Sequence, residues 1–323
     1  MGSLIEDIKQ AALDQFKVKV IEHTRVLPGL YNNPSCAAPD LFTLQLTYPR
    51  FIHAEAKTHR VVTSTDEELV VLTQDEAVMD DQMLSRNASS SRAIPVAKMI
   101  EQVRTNPALP VYWGKNQAGM QAKAEVDDIA DAMLAWKESA KIAAARAERL
   151  AEIGLHKQIV NRVLEPFQLI HVVVTATEWS NFFALRDHED AQPEIQVLAR
   201  KMREAMAASD PRWIGKAWTV NDTFAWHLPY ISEEERAIYR LDVLLKCSTA
   251  RCARTSYMNH DGTNPVVSKD IQLHADLVGS EPLHASPTEH QAHPVHHMGT
   301  SFFKNFQGWQ QYRHYVEKKT EFF

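Results

Sequence analysis

Gln121 to Ile153 is a run of 33 residues without a glycine or a proline. It is rich in alanine, glutamate and lysine, which lose little side-chain freedom in a helix. The run therefore predicts a long helix, broken at most once. Val126, Ile129 and Met133 recur at helical spacing, and Gly154 supplies a stop. We read it as a core and scaffold helix.

The segments around it predict strands mixed with helices. Phe16 to Ile21 alternates as a strand, and so does Phe42 to Tyr48, with Phe42, Leu44, Leu46 and Tyr48 on one face. Pro49 leads into a predicted helix over 51–60, on which Glu55 and His59 share a face. His171 to Thr175 is a β-branched run. Thr175 and Glu178 match the capping-box spacing, which predicts a helix to about His188. Pro193 suits the first turn of another helix, with Ile195, Leu198, Met202 and Met206 as its apolar stripe. The last third carries prolines at 265, 282, 287 and 294. It predicts strands and turns with one helix, Ser268 to Leu277, capped by Ser268.

Composition narrows the class. The chain has 323 residues, 45% apolar and 24% charged, as soluble globular proteins do. No apolar run of about 18 residues is present, so no membrane span is expected. The N-terminus lacks a basic stretch followed by an apolar one, so no secretory signal is expected. Three cysteines, Cys36, Cys247 and Cys252, suit a reducing cytoplasm. Cys247 is expected to be a buried small residue and Cys252 a strand residue, not a redox pair. The net charge of −6 disfavours a broad nucleic-acid surface. Residues 61–84 hold seven acidic residues and no basic one, so the remainder of the chain is −6 − (−7) = +1. That segment reads as an inserted acidic arm, with Val70, Val71 and Leu72 as a short strand.

Polar chemistry concentrates in Ser85-Arg86-Asn87-Ala88-Ser89-Ser90-Ser91-Arg92, where two arginines, an asparagine and four serines fall within eight residues. Such a segment can wrap a phosphate or a nucleobase edge. Arg60, Arg86, Arg92, Arg162 and Arg186 each lie beside small polar residues or a strand end. Arginine forks suit phosphate and imide edges, although a lone surface arginine is more often solvated. Spacing alone does not say which converge. Ser90 has no evident His/Asp relay and reads as a binder, not a nucleophile. His284, His290, His293, His296 and His297 match no common zinc spacing, and no metal is expected.

Thr58-His59-Arg60 followed by the 85–92 segment resembles the split signature of flavin-dependent thymidylate synthases. Four further blocks are similar to that family. They are Asn161-Arg162-Val163-Leu164-Glu165-Pro166; Asn181-Phe182-Phe183-Ala184-Leu185-Arg186 with Ala191-Gln192-Pro193-Glu194-Ile195; Cys252-Ala253-Arg254-Thr255-Ser256-Tyr257, a strand in this reading; and the turn His284-Ala285-Ser286-Pro287-Thr288-Glu289-His290. Together they touch residues 58 to 290.

Three departures stand out. The last two blocks precede the histidine–arginine block in usual members and follow it here, as in a circular permutation, which compact folds tolerate when termini lie close. The signature's two-residue spacer is replaced by Val61–Leu84, a cheap loop to close, since each doubling costs about 0.6 kcal/mol. Thr58 replaces an arginine and Ala88 a glutamate, so one positive and one negative group are lost together.

The resemblance, to phage-type members, implies one α+β domain over 1–323 with a mixed or antiparallel sheet and long helices; the acidic arm would repel substrate beside an anion site, so it is expected to project to solvent or onto a neighbouring subunit. The resemblance implies a homotetramer with inter-subunit sites, in a cytoplasm that is the host's if phage-encoded. It implies methylation of dUMP to dTMP, with FAD as cofactor and NADPH and methylenetetrahydrofolate as co-substrates. Arg186 is assigned to the uracil edge as the catalytic residue. Glu55, Ala88, Ser89, Ser90, Ser91, Arg92 and Arg162 are assigned to the nucleotide. Thr58, His59, Arg60, Thr175, Asn181, Ser256, His284, Ser286 and Glu289 are assigned to FAD and the folate side. Two alternatives stay open: flavin- and folate-dependent C5 modification of another pyrimidine nucleotide, and a flavin- or nucleotide-binding protein without methylation activity.

Overall fold

Alternating apolar and polar residues build a central sheet, seen here in a computed structural model that describes residues 2–27, 38–57, 64–65, 68–69, 84–119, 121–215, 219–257, 265–295, 302–303 and 305–318. Helix α1 (Gly2–Leu13) leads into β1 (Lys17–Val26), then β2 (Leu41–Pro49), a 3-10 turn (Arg50–Ile52) and α2 (His53–Lys57). Two-residue strands β3 (Ser64–Thr65) and β4 (Glu68–Leu69) pair with each other. Next come β5 (Ser85–Ala88), α3 (Val96–Thr105), α4 (Ile129–Glu152), α5 (Lys157–Val160), a 3-10 turn (Asn161–Phe167) and β6 (Leu169–Ala176). Helices α6 (Ser180–Arg186) and α7 (Pro193–Ala207) precede β7 (Arg212–Ile214). The last third holds α8 (Glu233–Ile238), α9 (Leu241–Tyr257), α10 (Val267–Val278), β8 (Ala292–Pro294), β9 (Phe302–Phe303), β10 (Phe306–Gln307), β11 (Trp309–Gln311) and α11 (Tyr312–Lys318). The main sheet runs β5-β6-β2-β1-β7, antiparallel throughout except for the parallel β1/β7 pair. The fold is α+β with a mixed sheet.

The two sheet faces differ in chemistry. Phe42, Leu44, Leu46 and Tyr48 of β2 and Ile170, Val172, Val174 and Ala176 of β6 form one buried face. Phe182 of α6 and Ile195, Leu198 and Met202 of α7 close over it. The other face presents Thr43 and Gln45 of β2 and Thr175 of β6, and is covered by α9, by the 226–230 segment and by His290. Beyond it Leu41, Trp226, Leu228, Leu244, Leu245 and Trp309 make a second apolar cluster.

Strand β1 changes face partway along. Val20 stands opposite Leu44 and Glu22 opposite Thr43, so Ile21 is one residue extra, a β-bulge. Because side chains alternate along a strand, that residue reverses the pattern beyond it. Val18 and Val20 pack with the first core. Glu22 and Thr24 turn instead to the polar face, where both meet His227.

The long helix is shorter than the predicted run. It begins at Ile129, where the Asp128 carboxylate accepts from the Asp131 N–H at 2.9 Å. Residues 121–128 pair with the chain before them, Val126 N–H donating to Trp113 O at 2.8 Å. Ala140, Ala144 and Ala147 are fully buried on the face toward Met99, Ile100 and Val103 of α3. Gly154 ends the run with φ +94°, which glycine adopts without steric cost.

Three local expectations are corrected. Thr175 does not cap a helix: it lies inside β6, and α6 starts at Ser180 without a side-chain cap. Glu178 instead accepts from the Ser180 N–H at 2.6 Å. Ser268 lies inside α10, which begins at Val267. The helix expected after Pro49 is present as a 3-10 turn and α2, and residues 58–60 of that expectation lie outside the described residues. The last third is more helical than expected, and the 252–257 block is the end of α9, not a strand. Its helical pattern was hidden because α9 buries polar Ser248, Thr249 and Arg251 beside Leu244 and Leu245. Cys247 and Cys252 are both buried on that helix, and Cys252 Sγ accepts from Gln291 Nε2 at 3.6 Å. Of the acidic arm, only β3, β4 and Leu84 are described; Val70, Val71, Leu72 and Cys36 are not.

Candidate functional site

The 85–92 segment is half strand and half turn. Ser85 to Ala88 form β5 and pair with β6, Ser85 opposite Thr175 and Ala88 opposite Val172. Alternation then sends Ser85 and Asn87 to the polar face and Ala88 toward the apolar one. After Ala88 the chain turns: the N–H groups of Ala93 and Ile94 both donate to Ser90 O. Asn161 Nδ2 clamps the turn by donating to Ser91 O at 2.7 Å and Ile94 O at 3.1 Å.

The turn opens onto a cleft of about 780 Å³. Asn87, Ser90, Arg92 and Ala93 form one wall, Lys157 the edge, and Ala253, Leu277 and residues 283–287 the other wall. The cleft size falls within the range of small-molecule sites, roughly 300–1,000 Å³. Its chemistry is divided, with Arg92 and Lys157 offering positive charge and Leu277, Leu283, Ala285 and Pro287 an apolar wall.

Four expected site residues meet there: Ser90, Arg92, His284 and Ser286. Others do not. Ser89 and Ser91 are buried and serve the turn itself. Ser89 Oγ accepts from the His171 N–H at 3.1 Å, and Ser91 Oγ donates to Glu165 at 3.2 Å. Arg162 pairs with the same Glu165 at 2.7 Å and is not in the cleft wall. Thr175 is fully buried, its hydroxyl engaged by Thr43 and His290. Glu289 pairs with Arg313. Asn181 and Arg186 lie on α6, which packs on the apolar sheet face, opposite the cleft. Thr58, His59 and Arg60 lie outside the described residues, as do the side chains of Glu55 and Ser256.

A buried chain of hydrogen bonds runs inward from the cleft. Asn87 Nδ2 lies 3.1 Å from His290 Nε2, and His290 Nδ1 lies 2.8 Å from Thr175 Oγ1. Thr175 and Thr43 hydroxyls are 2.6 Å apart. Thr43 Oγ1 is 2.7 Å from His227 Nε2, and His227 Nδ1 is 2.8 Å from Thr24 Oγ1. Thr24 donates to Glu22 Oε1 at 3.3 Å. Arg212 and Arg236 donate to the same Glu22 oxygen at 2.9 and 2.6 Å. Burial pulls Glu22 upward, but His227, Arg236 and Arg212 outweigh it and hold its pKa at about 2. Burial pushes His227 down to about 4 and His290 down to about 3, so both rings are neutral at pH 7 and the two arginines carry the local positive charge.

The profile of the thymidylate synthase complementing protein family, Thy1, matches residues 35–212, more than half of the chain. The chain belongs to this family. The Thy1 match spans β2, β5, β6, α6 and α7, and includes the cleft wall made by Asn87, Ser90 and Arg92. The facing wall, Ala253, Leu277 and 283–287, lies beyond it. No curated protein matches the chain. Two similar solved structures are of the UMP/dUMP methylase PolB from Streptomyces cacaoi. The form bound with 5-Br dUMP is 15% identical and covers 59% of this chain and 90% of that one, with TM-score 0.43. The form bound with 5-Br UMP is 15% identical, covers 59% and 88%, and has TM-score 0.40.

Sequence reasoning passed over Asn87, Lys157 and Ala253 in the cleft and His290 and His227 behind it. Asn87 carried a readable signal: in a strand 85–88 it must face opposite to Ala88. Lys157 and His227 carried none, since tertiary packing alone brings them in.

Proposed function

We propose that this Thy1 protein is a flavin-dependent thymidylate synthase that methylates dUMP with methylenetetrahydrofolate and NADPH. One observation carries the reading. The cleft joins Ser90 and Arg92 to His284 and Ser286, residues nearly 200 positions apart that the resemblance assigns to nucleotide and flavin. The same juxtaposition supports a circular permutation, since the 284–290 turn packs on β5 although it follows it in the chain. Arg92 and Lys157 suit a phosphate, as fork and point donors respectively. The apolar wall and the polar side chains of Asn87, Ser90, His284 and Ser286 fit a flat, hydrogen-bonding ring system, so the residues present suit FAD. Bound there, FAD would supply the redox chemistry between NADPH and the nucleotide. The protein's part is to hold the nucleotide by its phosphate, orient its ring and exclude water.

Asn181 and Arg186 lie across the sheet from the cleft. A site that uses them with Arg92 therefore draws on two chains, which supports the homotetramer. Exposed Ile153, Leu155, Ile159 and Val163, around the Lys157 edge, offer apolar surface for such a contact.

Purified protein should be yellow, or become so with FAD, and should release tritium from 5-tritiated dUMP when given folate and NADPH. Colourless protein that FAD cannot reconstitute would sink the reading. Ala88 lacks the family carboxylate and packs toward the apolar core. UMP and CMP therefore belong in the same assay, and turnover of either instead of dUMP would favour modification of another pyrimidine nucleotide.

A further inference from the structure

With the Thr24 hydroxyl donating to Glu22, as it does at 3.3 Å, the chain between Glu22 and the cleft takes one direction. Glu22 is bound by two arginines and is a carboxylate at neutral pH, so it can only accept. Thr24 has one hydroxyl proton, which it gives to Glu22, and so it accepts from His227 Nδ1–H. A neutral ring protonated at Nδ1 accepts at Nε2, so Thr43 donates to His227. Thr43 then accepts from Thr175, and Thr175 accepts from His290 Nδ1–H. His290 Nε2 must accept, and the donor it receives is the Asn87 amide nitrogen. The carboxylate at one end thus decides two tautomers, three hydroxyl rotors and one amide orientation.

The far end of the chain is at the cleft. Asn87 is only 7% exposed yet lines it, and its Oδ1 has no hydrogen-bond partner among the described residues and is not sealed from solvent. An amide has no proton to relay at neutral pH, so the chain conveys orientation, not protons. We propose that Glu22, acting through Thr24, His227, Thr43, Thr175 and His290, fixes Asn87 so that its Oδ1 accepts the imide N3–H of a uracil ring, an inference that rests on the pyrimidine-nucleotide reading of the cleft. Cytosine presents an acceptor at N3 and meets Oδ1 with like polarity. A buried polar group left unpaired in this way weakens binding by roughly 10- to 100-fold. Asn87 is the specificity-determining residue, and Glu22, Thr24, His227, Thr43, Thr175 and His290 are positioning residues.

The test uses the full chain. Calorimetric binding of dUMP and dCMP should show a preference for dUMP of roughly 10-fold or more. Thr43→Val keeps the shape but removes the middle link, two residues from any ligand contact. It should bring the two affinities to within a few-fold, and Thr43→Ser, which keeps a hydroxyl, should restore the preference. Solid-state NMR of 15N-histidine-labelled protein should show His227 and His290 protonated at Nδ1 and bare at Nε2. A merely structural role for Thr43 would not move the selectivity ratio. Retention of the full preference in Thr43→Val, or His290 protonated at Nε2, overturns the proposal. A wild type that binds dUMP but does not discriminate against dCMP overturns it while leaving the proposed function standing. A wild type that binds neither nucleotide defeats the pyrimidine reading and the imide assignment with it, and the tautomers then decide the orientation alone.

Discussion

His227, His274 and His290 are buried and neutral, with pKa values lowered by burial to about 4, about 4 and about 3. Each takes up its proton near pH 6.5 when unfolded. Between those values the unfolded chain binds more protons, so stability falls as pH drops from about 6.5 toward about 4. Glu22 adds to the loss only lower, from its unfolded value of about 4.3 down toward 2. Urea midpoints should therefore decline from pH 7 to pH 4.5, and His274→Phe should make the decline shallower. A midpoint independent of pH across that span would contradict the burial of neutral rings. At this scale the sequence was legible where a residue's role follows from its own chemistry, as with Arg92 at an anion-suited cleft. It was illegible for Ser89 and Ser91. A serine that binds a ligand and one that ties down a turn look alike until His171 and Glu165 are seen beside them.

Helix α4 lies close against α3 because small side chains occupy the seam. Ala140, Ala144 and Ala147 are fully buried, and no larger residue fits there without moving α3. Ala144→Leu should destabilise the protein by about 1–3 kcal/mol through overpacking, read as a lower urea midpoint with the secondary structure retained. An unchanged midpoint would mean the seam can open. Elements with a strict period were readable in advance: β2 and α7 each turn an apolar side toward the first core. Helix α9 was missed because it buries Arg251 and Ser248 as well as leucines. Arg251 is made tolerable inside by Glu235 of α8 and Asp270 of α10, the helices before and after its own.

The whole chain divides its chemistry across the sheet, with the cleft on one face and α6 on the other. If Arg92 of one subunit works with Arg186 of another, two inactive variants should complement. Arg92→Ala mixed with Arg186→Ala should regain activity toward roughly a quarter of the sites by random pairing of subunits. Hybrids that stay inactive after remixing would argue for a site within one chain. The 85–92 and 284–290 blocks were visible in the sequence, but their meeting at the cleft was not, because that depends on the C-terminal third folding back onto β5. Sequences of this kind invite comparison position by position. The extra residue at Ile21 makes that comparison treacherous, for a relative without it would carry its Glu22 counterpart on the inner, oily side of the sheet. Strand parity, rather than residue identity, is then the quantity to keep when two such sequences are laid side by side. A single inserted or deleted residue in β1 would disconnect the remote carboxylate from the cleft without altering any residue that touches a ligand.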